Sequence, residues 1–324
     1  MRVKPTHFLL ALLLVTEILL PHPASAERDN VIIGRLNWSG AIAVAHVMKH
    51  VLEEQLGIPA KLQPVSVPVL WSAMDRGTAD VYPDLWMPNQ KQSFDKYIRV
   101  RQTVVAKLSY DNAPQGFYIP SHIAKAHHIR SVSDLRGKET LFDMNGNDQG
   151  EMWIGPYSWD ASEINKSKIR EYELDFEPVE FEQWIFLAMF KAAMKENKPL
   201  VFYYWEPDWP MAVYDLTRLE EPSYDPKKWN RVIRDVEKTS IRCAYPLASI
   251  YVGFSKSLKK RLPAAYDFFM NWRIPIDEVS KLVADMEDVP GNPKQDIVRV
   301  ARKWVADHPD ILADWLQTKN KQVR

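Results

Sequence analysis

Tryptophan stands at the ends of three apolar segments of this 324-residue chain. The clearest segment runs from Leu200 to Pro210, where Val, Phe and Tyr favour a buried strand. Its two prolines cannot continue a ladder, so this strand ends near Trp205. Two further segments end in the same way, near Trp86 and near Trp159. Because open α/β sheets bind ligands where their strands end, we expect these indoles to form one aromatic cage.

An aromatic cage suits one kind of ligand. A trimethylammonium group has no N–H to donate, so a protein holds it by surrounding its diffuse charge with ring faces, each of which contributes about 0.5–2 kcal/mol. The alternative is core packing, because Trp is on average highly buried. The chain contains 12 Trp, and we expect some of them to serve recognition.

The elements that would position the cage alternate between strand and helix. We expect a strand at Asn30 to Leu36 and a helix at Gly40 to Leu56, which Gly57 ends. A second strand is expected at Leu62 to Val69. This order predicts an α/β protein whose sheets are mostly parallel and covered by helices.

A second series of strands and helices follows the extended segment Gln115 to Pro120. Its clearest helix is expected at Phe181 to Met194, directly before the strand that ends at Trp205. The predicted apolar face of this helix contains Phe181, Trp184, Ile185, Ala188, Met189 and Ala192. Another extended segment, Tyr245 to Val252, would return the chain to the first series.

Residues 1–26 have the features of a secretory signal peptide, with an apolar run too short for a membrane span and cleavage expected after Ala26. The whole chain has 42 basic and 42 acidic residues, and the signal carries two basic and one acidic, so the formal charge after cleavage is about −1. That balance favours neither nucleic acid nor an anionic membrane. Cys243 is the only cysteine, which excludes a disulfide within the chain.

Oxygen-bearing side chains recur at Asp143, Asn145 and Asn147, as in the first part of a calcium-binding loop. The acidic residue that closes such a loop is absent, and a turn rich in Asn, Asp and Gly is the simpler interpretation. We expect no cofactor, and calcium only as a structural ion.

Enzymatic motifs are absent from the chain, which has no Gly-x-Ser-x-Gly, phosphate loop or dinucleotide fingerprint. We therefore expect a binding protein rather than an enzyme. A periplasmic choline-ester hydrolase is the alternative from a different class, and it would require a nucleophile paired with a base.

Several motifs, in this order, resemble those of the periplasmic glycine betaine, choline and carnitine binding proteins, the substrate-binding components of osmoprotectant ABC importers. They are Asn37-Trp-Ser-Gly40, Trp86-Met-Pro-Asn89, Gln115-Gly-Phe-Tyr-Ile-Pro120, Val201-Phe-Tyr-Tyr-Trp-Glu-Pro-Asp-Trp209 and Ala301-Arg-Lys-Trp304. The resemblance covers nearly the whole chain after the signal segment.

The resemblance implies a two-lobed periplasmic binding protein, type II-like, with two hinge crossovers. Residues 27–116 and 248–324 would form lobe one, and residues 117–247 would form an inserted lobe two. The lobes would close over the ligand by hinge motion. A monomer in the periplasm would then present the ligand to an ABC permease in the inner membrane.

The resemblance also assigns cage positions to Trp86 and Trp205, with Trp159 and Trp38 as further members. Trp38 and Trp86 fall in lobe one and the other two in lobe two, so closure would complete the cage. Glycine betaine or a choline-like ligand is the expected occupant. Carnitine, trimethylamine oxide and a sulfonium osmolyte are the alternatives.

The polar end of such a ligand needs partners of its own. Backbone N–H groups of Ser39 and Gly40, at the start of a predicted helix, are one option. Those of Asp160 and Ala161, implied by the resemblance, are the other. Glu206 follows a cage Trp, and a carboxylate there would strengthen cation binding but repel a ligand carboxylate; a solvated loop acid is the alternative.

Gln90 stands close to the position where one branch of the family has a carboxylate-binding His. This departure leaves the recognition of an anionic group open.

Overall fold

The computed structural model describes residues 28–232, 235–287 and 293–317. The predicted signal segment, residues 1–26, lies outside these ranges. Within them, no helix combines the length and the apolar character needed to cross a membrane.

Two five-stranded sheets organise the described residues, and we call the parts of the chain built on them lobe one and lobe two. The strands of lobe one are β1 Val31–Arg35, β2 Ala60–Pro64, β3 Val81–Met87, β4 Val104–Ala113 and β12 Ala248–Ser255. Their order in the sheet is β2-β1-β3-β12-β4. The strands of lobe two are β5 Gln115–Pro120, β6 Gly150–Trp153, β7 Phe176–Val179, β8 Phe202–Trp205 and β9 Leu216–Arg218. Their order in the sheet is β7-β6-β8-β5-β9.

Helices flank both sheets. Those before the first crossover are α1 Ser39–Glu54, α2 Val67–Asp75 and α3 Lys91–Phe94. Those between the crossovers are α4 Ser121–His127, α5 Asp160–Glu171, α6 Gln183–Glu196 and α7 Trp209–Val213. Those after the return to the first sheet are α8 Leu258–Arg261, α9 Pro263–Asn271, α10 Ile276–Glu287, α11 Pro293–Asp307 and α12 Pro309–Leu316. A short antiparallel pair, β10 Trp229–Asn230 and β11 Ser240–Ile241, lies outside the two sheets.

The chain passes between the sheets at two adjacent places. Ala113, at the end of β4, pairs with Ala248, at the start of β12. Pro114 alone separates β4 from β5, whose first residue, Gln115, already pairs with Trp205 in the other sheet. The first sheet is therefore built from both ends of the described chain, and the second from the segment between them, as the two-lobed fold requires.

Both sheets are mixed, whereas the sequence predicted mostly parallel ones. In lobe one, β1 pairs in parallel with β2 and β3, but β12 is antiparallel to both of its neighbours. In lobe two, β6 pairs in parallel with β7 and β8, but β5 is antiparallel to both of its neighbours. The antiparallel strands are the crossover strands, because they enter each sheet from the opposite lobe.

Two local predictions were wrong for physical reasons. The predicted strand at Leu62 to Val69 stops at Pro64, and Pro68 lies in the first turn of α2, where its missing N–H costs no hydrogen bond. The predicted apolar face of α6 is turned outward: Trp184 is 70% exposed. The buried face instead contains Gln183, Phe186, Leu187, Phe190 and Ala193.

Candidate functional site

A small cavity, which we call the cleft cavity, lies between the two lobes and has a volume of about 50 Å³. Because about 10–15 Å³ is enough for one water molecule, the cavity has room for a few waters or for a compact solute. Its lining comes from both lobes and consists of Trp38, Val67, Tyr82, Trp86, Asn89, Gln90, Trp159, Asp160, Ala161, Tyr203 and Trp205.

Strands β3 and β8 supply four of the eleven lining residues. Successive side chains of a strand point to opposite faces, so Asp84 and Trp86 share one face of β3. Tyr82 reaches the same cavity from the other side of a register shift that separates it from Leu85. Tyr203 and Trp205 share one face of β8 in the same way, while the alternate residues of β8 face the core. The last residues of both strands therefore deliver rings to the cleft cavity.

The other two indoles come from the residues that precede helices. Trp38 stands at the N-cap of α1 and Trp159 at the N-cap of α5, both with extended backbone. Gly155, in the loop before Trp159, has φ +100° and lies so close to the Trp159 ring that a Cβ there would sit 2.9 Å from a ring carbon. Glycine at 155 therefore lets the Trp159 ring lie against the backbone.

The four indoles meet across the cleft, mostly edge to face. The ring centroids of Trp38 and Trp159 are 5.6 Å apart, and those of Trp86 and Trp205 are 6.3 Å apart. Trp159 and Trp205 lie 5.1 Å apart at an interplanar angle of 72°. Two of these three contacts join lobe one to lobe two, so the structure has the closed arrangement of the lobes.

Asp84 lies beneath the lobe-one indoles and was not singled out by sequence reasoning. Its Oδ2 accepts the indole N–H of Trp38 at 2.6 Å and of Trp86 at 3.0 Å, and its Oδ1 accepts the Tyr110 hydroxyl at 2.8 Å. Burial raises the pKa of Asp84, and these three donors oppose the rise. Because all three partners donate, the arrangement fits the ionised carboxylate, which places negative charge beside the cage. The sequence signal that could have pointed to Asp84 was its position on a predicted strand, two residues before Trp86.

Polar contacts also cross from lobe to lobe. The side chain of Asn37 accepts the indole N–H of Trp159 at 2.8 Å. The amides of Asn89 and Gln115 exchange two hydrogen bonds, at 3.0 and 3.1 Å. The hydroxyl of Tyr203 donates to Gln115 Oε1 at 2.7 Å and so fixes the Gln115 amide within lobe two. The bonds of Asn37 and Asn89 join the two lobes beside the cleft cavity.

The three remaining site predictions lie away from the cleft cavity. Ser39 borders a separate surface groove, and Gly40 lies beside the Asp84 carboxylate. Glu206 accepts a hydrogen bond from the Tyr118 hydroxyl at 3.3 Å and does not line the cavity. The geometry therefore supports Asp160 and Ala161, at the start of α5, rather than Ser39 and Gly40 as the surroundings of a ligand's polar end.

The predicted calcium ligands form a turn. Both oxygens of Asp143 accept backbone N–H groups of its own loop, including those of Gly146 at 2.7 Å and Asp148 at 2.9 Å. These bonds explain the residue pattern without an ion. In the described ranges, no cluster of three or more His, Cys, Asp or Glu is arranged to hold a metal. Calcium at Asp143, Asn145 and Asn147 stays a prediction.

Two mixed sheets joined by two crossovers, with an aromatic cavity between them, define a two-lobed solute-binding protein. Residues 29–307 match the family model described as the substrate binding domain of the ABC-type glycine betaine transport system. The chain belongs to this family of transport proteins, and the resemblance inferred from its motifs is confirmed.

Individual relatives are distant. The chain is 21% identical over 214 residues to the glycine betaine/proline betaine-binding periplasmic protein of Salmonella typhimurium, covering 63% of this chain and 64% of that protein. A solved glycine betaine, L-proline ABC transporter binding protein from Borrelia burgdorferi has a TM-score of 0.71 at 22% identity, covering 90% of this chain and 97% of the other. An ABC-transporter choline binding protein in complex with choline has a TM-score of 0.71 at 19% identity, covering 89% and 91%. These structural likenesses show the two-lobed fold.

Proposed function

We propose that this chain captures a small methylated quaternary ammonium osmolyte in the cleft cavity and delivers it to an ABC permease. The observation that carries the proposal is the meeting of four indoles from both lobes around a cavity of about 50 Å³. A methylated cation has no N–H for a hydrogen bond, and ring faces are its natural partners. The curated relative is named for two betaines and one structural neighbour holds choline, all with a methylated nitrogen.

The buried carboxylate of Asp84 completes the proposed cation site. Trp38, Trp86, Trp159 and Trp205 would surround the methyl groups, and Asp84 would offset the positive charge through the indoles that it orients. A binding role without catalysis fits this site, because its described lining includes no Ser or Cys nucleophile, and its carboxylate, Asp160, is bonded to Gln90 and Arg231.

Export and delivery are part of the same proposal. The signal segment would direct the monomer to the periplasm, where the Salmonella relative is located according to its name. Closure of the lobes on the ligand would give the permease a surface that the empty, open protein lacks.

Calorimetric titration with tetramethylammonium tests the cation site alone, because this probe has no polar end. We expect 1:1 binding by the wild-type protein. Trp86→Ala and Trp205→Ala should each weaken binding at least about tenfold, since each removes a ring face and opens the cage to water. Trp184→Ala is the matched control, because Trp184 is 70% exposed and does not line the cavity.

Loss of binding in the control variant equal to that in the cage variants would contradict the proposal. So would the absence of binding by tetramethylammonium, choline and glycine betaine to a folded wild-type protein. Hydrolysis of a choline ester by the purified protein would favour the enzyme instead.

A further inference from the structure

One side-chain donor in the lining of the cleft cavity is bonded to a carboxylate of the protein. Gln90 lines the cleft cavity, and its Nε2 donates to Oδ2 of Asp160, across the cleft. The other atom of the same amide, Oε1, accepts the indole N–H of Trp71 at 2.8 Å. Each end of the Gln90 amide therefore has a partner, and the partner of its NH2 group is a carboxylate.

The nearby guanidinium of Arg231 is also engaged. Its Nη2 bonds to Oδ1 of Asp160 and, at 3.1 Å, to Oε2 of Glu163, while its Nη1 donates to the backbone carbonyl of Asn89. The Arg231 side chain is only 8% exposed. One cation thus serves two carboxylates and a carbonyl, and Arg231 is not among the residues that line the cavity.

The charged groups described at the cavity are mainly carboxylates, since Arg231 bonds to both Asp160 and Glu163 and Asp84 lies beneath the indoles. Among the described residues, the lining includes Asp160 but no Lys, Arg or His. Tyr82 lines the cavity and lies close to both acids. Burial raises the pKa of its hydroxyl most, and the negative charges of Asp160 and Asp84 raise it further. A second negative group on a ligand would be repelled by these acids, since like charges brought together in a desolvated site are unfavourable.

We propose that the cleft cavity selects methylated ammonium alcohols, of which choline is the simplest, over methylated ammonium carboxylates such as glycine betaine, with Asp160 as the specificity determinant. This inference rests on the proposed function and narrows its ligand class. A hydroxyl both donates and accepts, whereas a carboxylate only accepts. The hydroxyl can donate to Asp160 and accept from the backbone N–H of Asp160 or Ala161, which lack intrahelical partners at the start of α5.

The test compares three ligands that share the same cation. Tetramethylammonium reports the cage, choline adds a hydroxyl, and glycine betaine adds a carboxylate. For the wild-type protein we expect choline to bind at least tenfold more tightly than glycine betaine in calorimetric titration at pH 7. Asp160→Asn should reduce this ratio at least fivefold, because it removes the charge that repels the carboxylate and keeps an amide of similar shape.

Glu163→Gln is the matched control. Glu163 lies three residues further along α5 and binds the same Arg231, but it does not line the cavity. This variant should leave the ratio of choline to glycine betaine affinity within twofold of wild type. Tetramethylammonium affinity corrects each variant for any damage to the cage.

The possible failures are distinguishable. Wild-type protein that binds tetramethylammonium but holds glycine betaine as tightly as choline overturns the ligand-class inference alone. An unchanged ratio in folded Asp160→Asn overturns the role of Asp160. If none of the three ligands binds, the proposed function fails and this inference fails with it. Should Asp160→Asn not fold, the wild-type ratio still decides between the two ligand classes.

Discussion

The two lobes supply the cage by the same local device. Each contributes one Trp at the end of a strand, Trp86 from β3 and Trp205 from β8. Each contributes another from the residue that precedes a helix, Trp38 before α1 and Trp159 before α5. The difference between the lobes is in what holds the indoles once they are delivered.

Lobe one holds its indoles by itself. The indole N–H groups of Trp38 and Trp86 both donate to Asp84, which is buried in the same lobe. Lobe two depends on its neighbour, because the N–H of Trp159 is accepted by Asn37 of lobe one at 2.8 Å.

This difference predicts that the hydrogen bonds of the two halves of the cage form at different stages of binding. Because the hydrogen bonds of the lobe-one half lie within one lobe, we expect this half to keep them when the lobes separate and to be preorganised for the cation. We expect the lobe-two half to acquire the Asn37 bond only on closure, so that part of its order is gained together with the ligand. The following predictions test this asymmetry, from the largest expected effect to the smallest.

The largest effect is expected from Asp84→Asn. Removing the charge takes away the anion next to the bound cation, and the new amide brings donors that compete with three existing donors. Truncating one partner of a buried charge interaction costs about 2–5 kcal/mol, so tetramethylammonium should bind at least about 30-fold more weakly. Calorimetric titration measures this loss, and the far-ultraviolet circular dichroism spectrum checks that the variant is folded. Affinity within threefold of wild type would show that lobe one does not use Asp84 in this way.

The pH dependence of the wild-type protein follows from the same carboxyl. Burial raises the pKa of Asp84, and a bound cation favours its ionised form. Affinity for tetramethylammonium should therefore fall as the pH drops through the raised pKa, at a pH above the ordinary Asp range. The free energy of unfolding of the ligand-free protein should change with pH in the opposite direction. Because the pKa of Asp84 is raised in the folded state, Asp84 contributes stability at low pH, and this contribution is lost as the pH rises through the folded-state pKa.

Burial also raises the pKa of Asp160, more than Arg231 and Gln90 lower it, so two groups could produce the pH effect on affinity. Titrations over a pH series with Asp84→Asn and Asp160→Asn separate them. If the decline of affinity at low pH persists unchanged in Asp84→Asn, Asp84 is not its source.

The strand-end indoles could be predicted from sequence, whereas their supports could not. Trp86 and Trp205 were found because β-type apolar runs ended at a Trp that stands two residues before a Pro. Asp84 was missed because the sequence does not show which donors surround an acid inside a strand. One of its three donors, Tyr110, comes from a different strand. Arg231 was missed because it lies in an irregular segment, whose approach to the cleft depends on tertiary packing.

The face of α6 was mispredicted because the helix is apolar on both sides. Trp184 and Met189 satisfy the helical period as well as Phe186 and Phe190 do, so periodicity alone could not choose between the faces. The choice is made by rings outside the helix, since Phe186 stacks on Trp153 with centroids 4.0 Å apart.

A matched pair of Trp→Phe variants sharpens the contrast between the lobes. Trp38→Phe removes a hydrogen bond within lobe one and leaves Asp84 with one donor fewer, so the ligand-free protein should lose about 1–3 kcal/mol of its free energy of unfolding. Trp159→Phe makes the same chemical change but removes a bond between lobes, so its cost to the ligand-free protein should be smaller by about 1 kcal/mol. Urea unfolding without ligand measures both values. Equal losses would mean that the lobes already touch in the empty protein.

The smallest effect is expected from the single bond between Asn37 and Trp159. A double-mutant cycle with Asn37→Ala and Trp159→Phe isolates it. Because this bond forms on closure, its coupling should appear in ligand affinity, at about 0.5–1.5 kcal/mol or roughly 2- to 12-fold, and be near zero in the unfolding of the ligand-free protein. Asn37 also donates to Glu182 of lobe two, but the cycle cancels that loss because it is common to the single and the double variant. Coupling of the same size in both measurements would place the bond in the empty protein as well, and the two halves of the cage would then be equally preorganised.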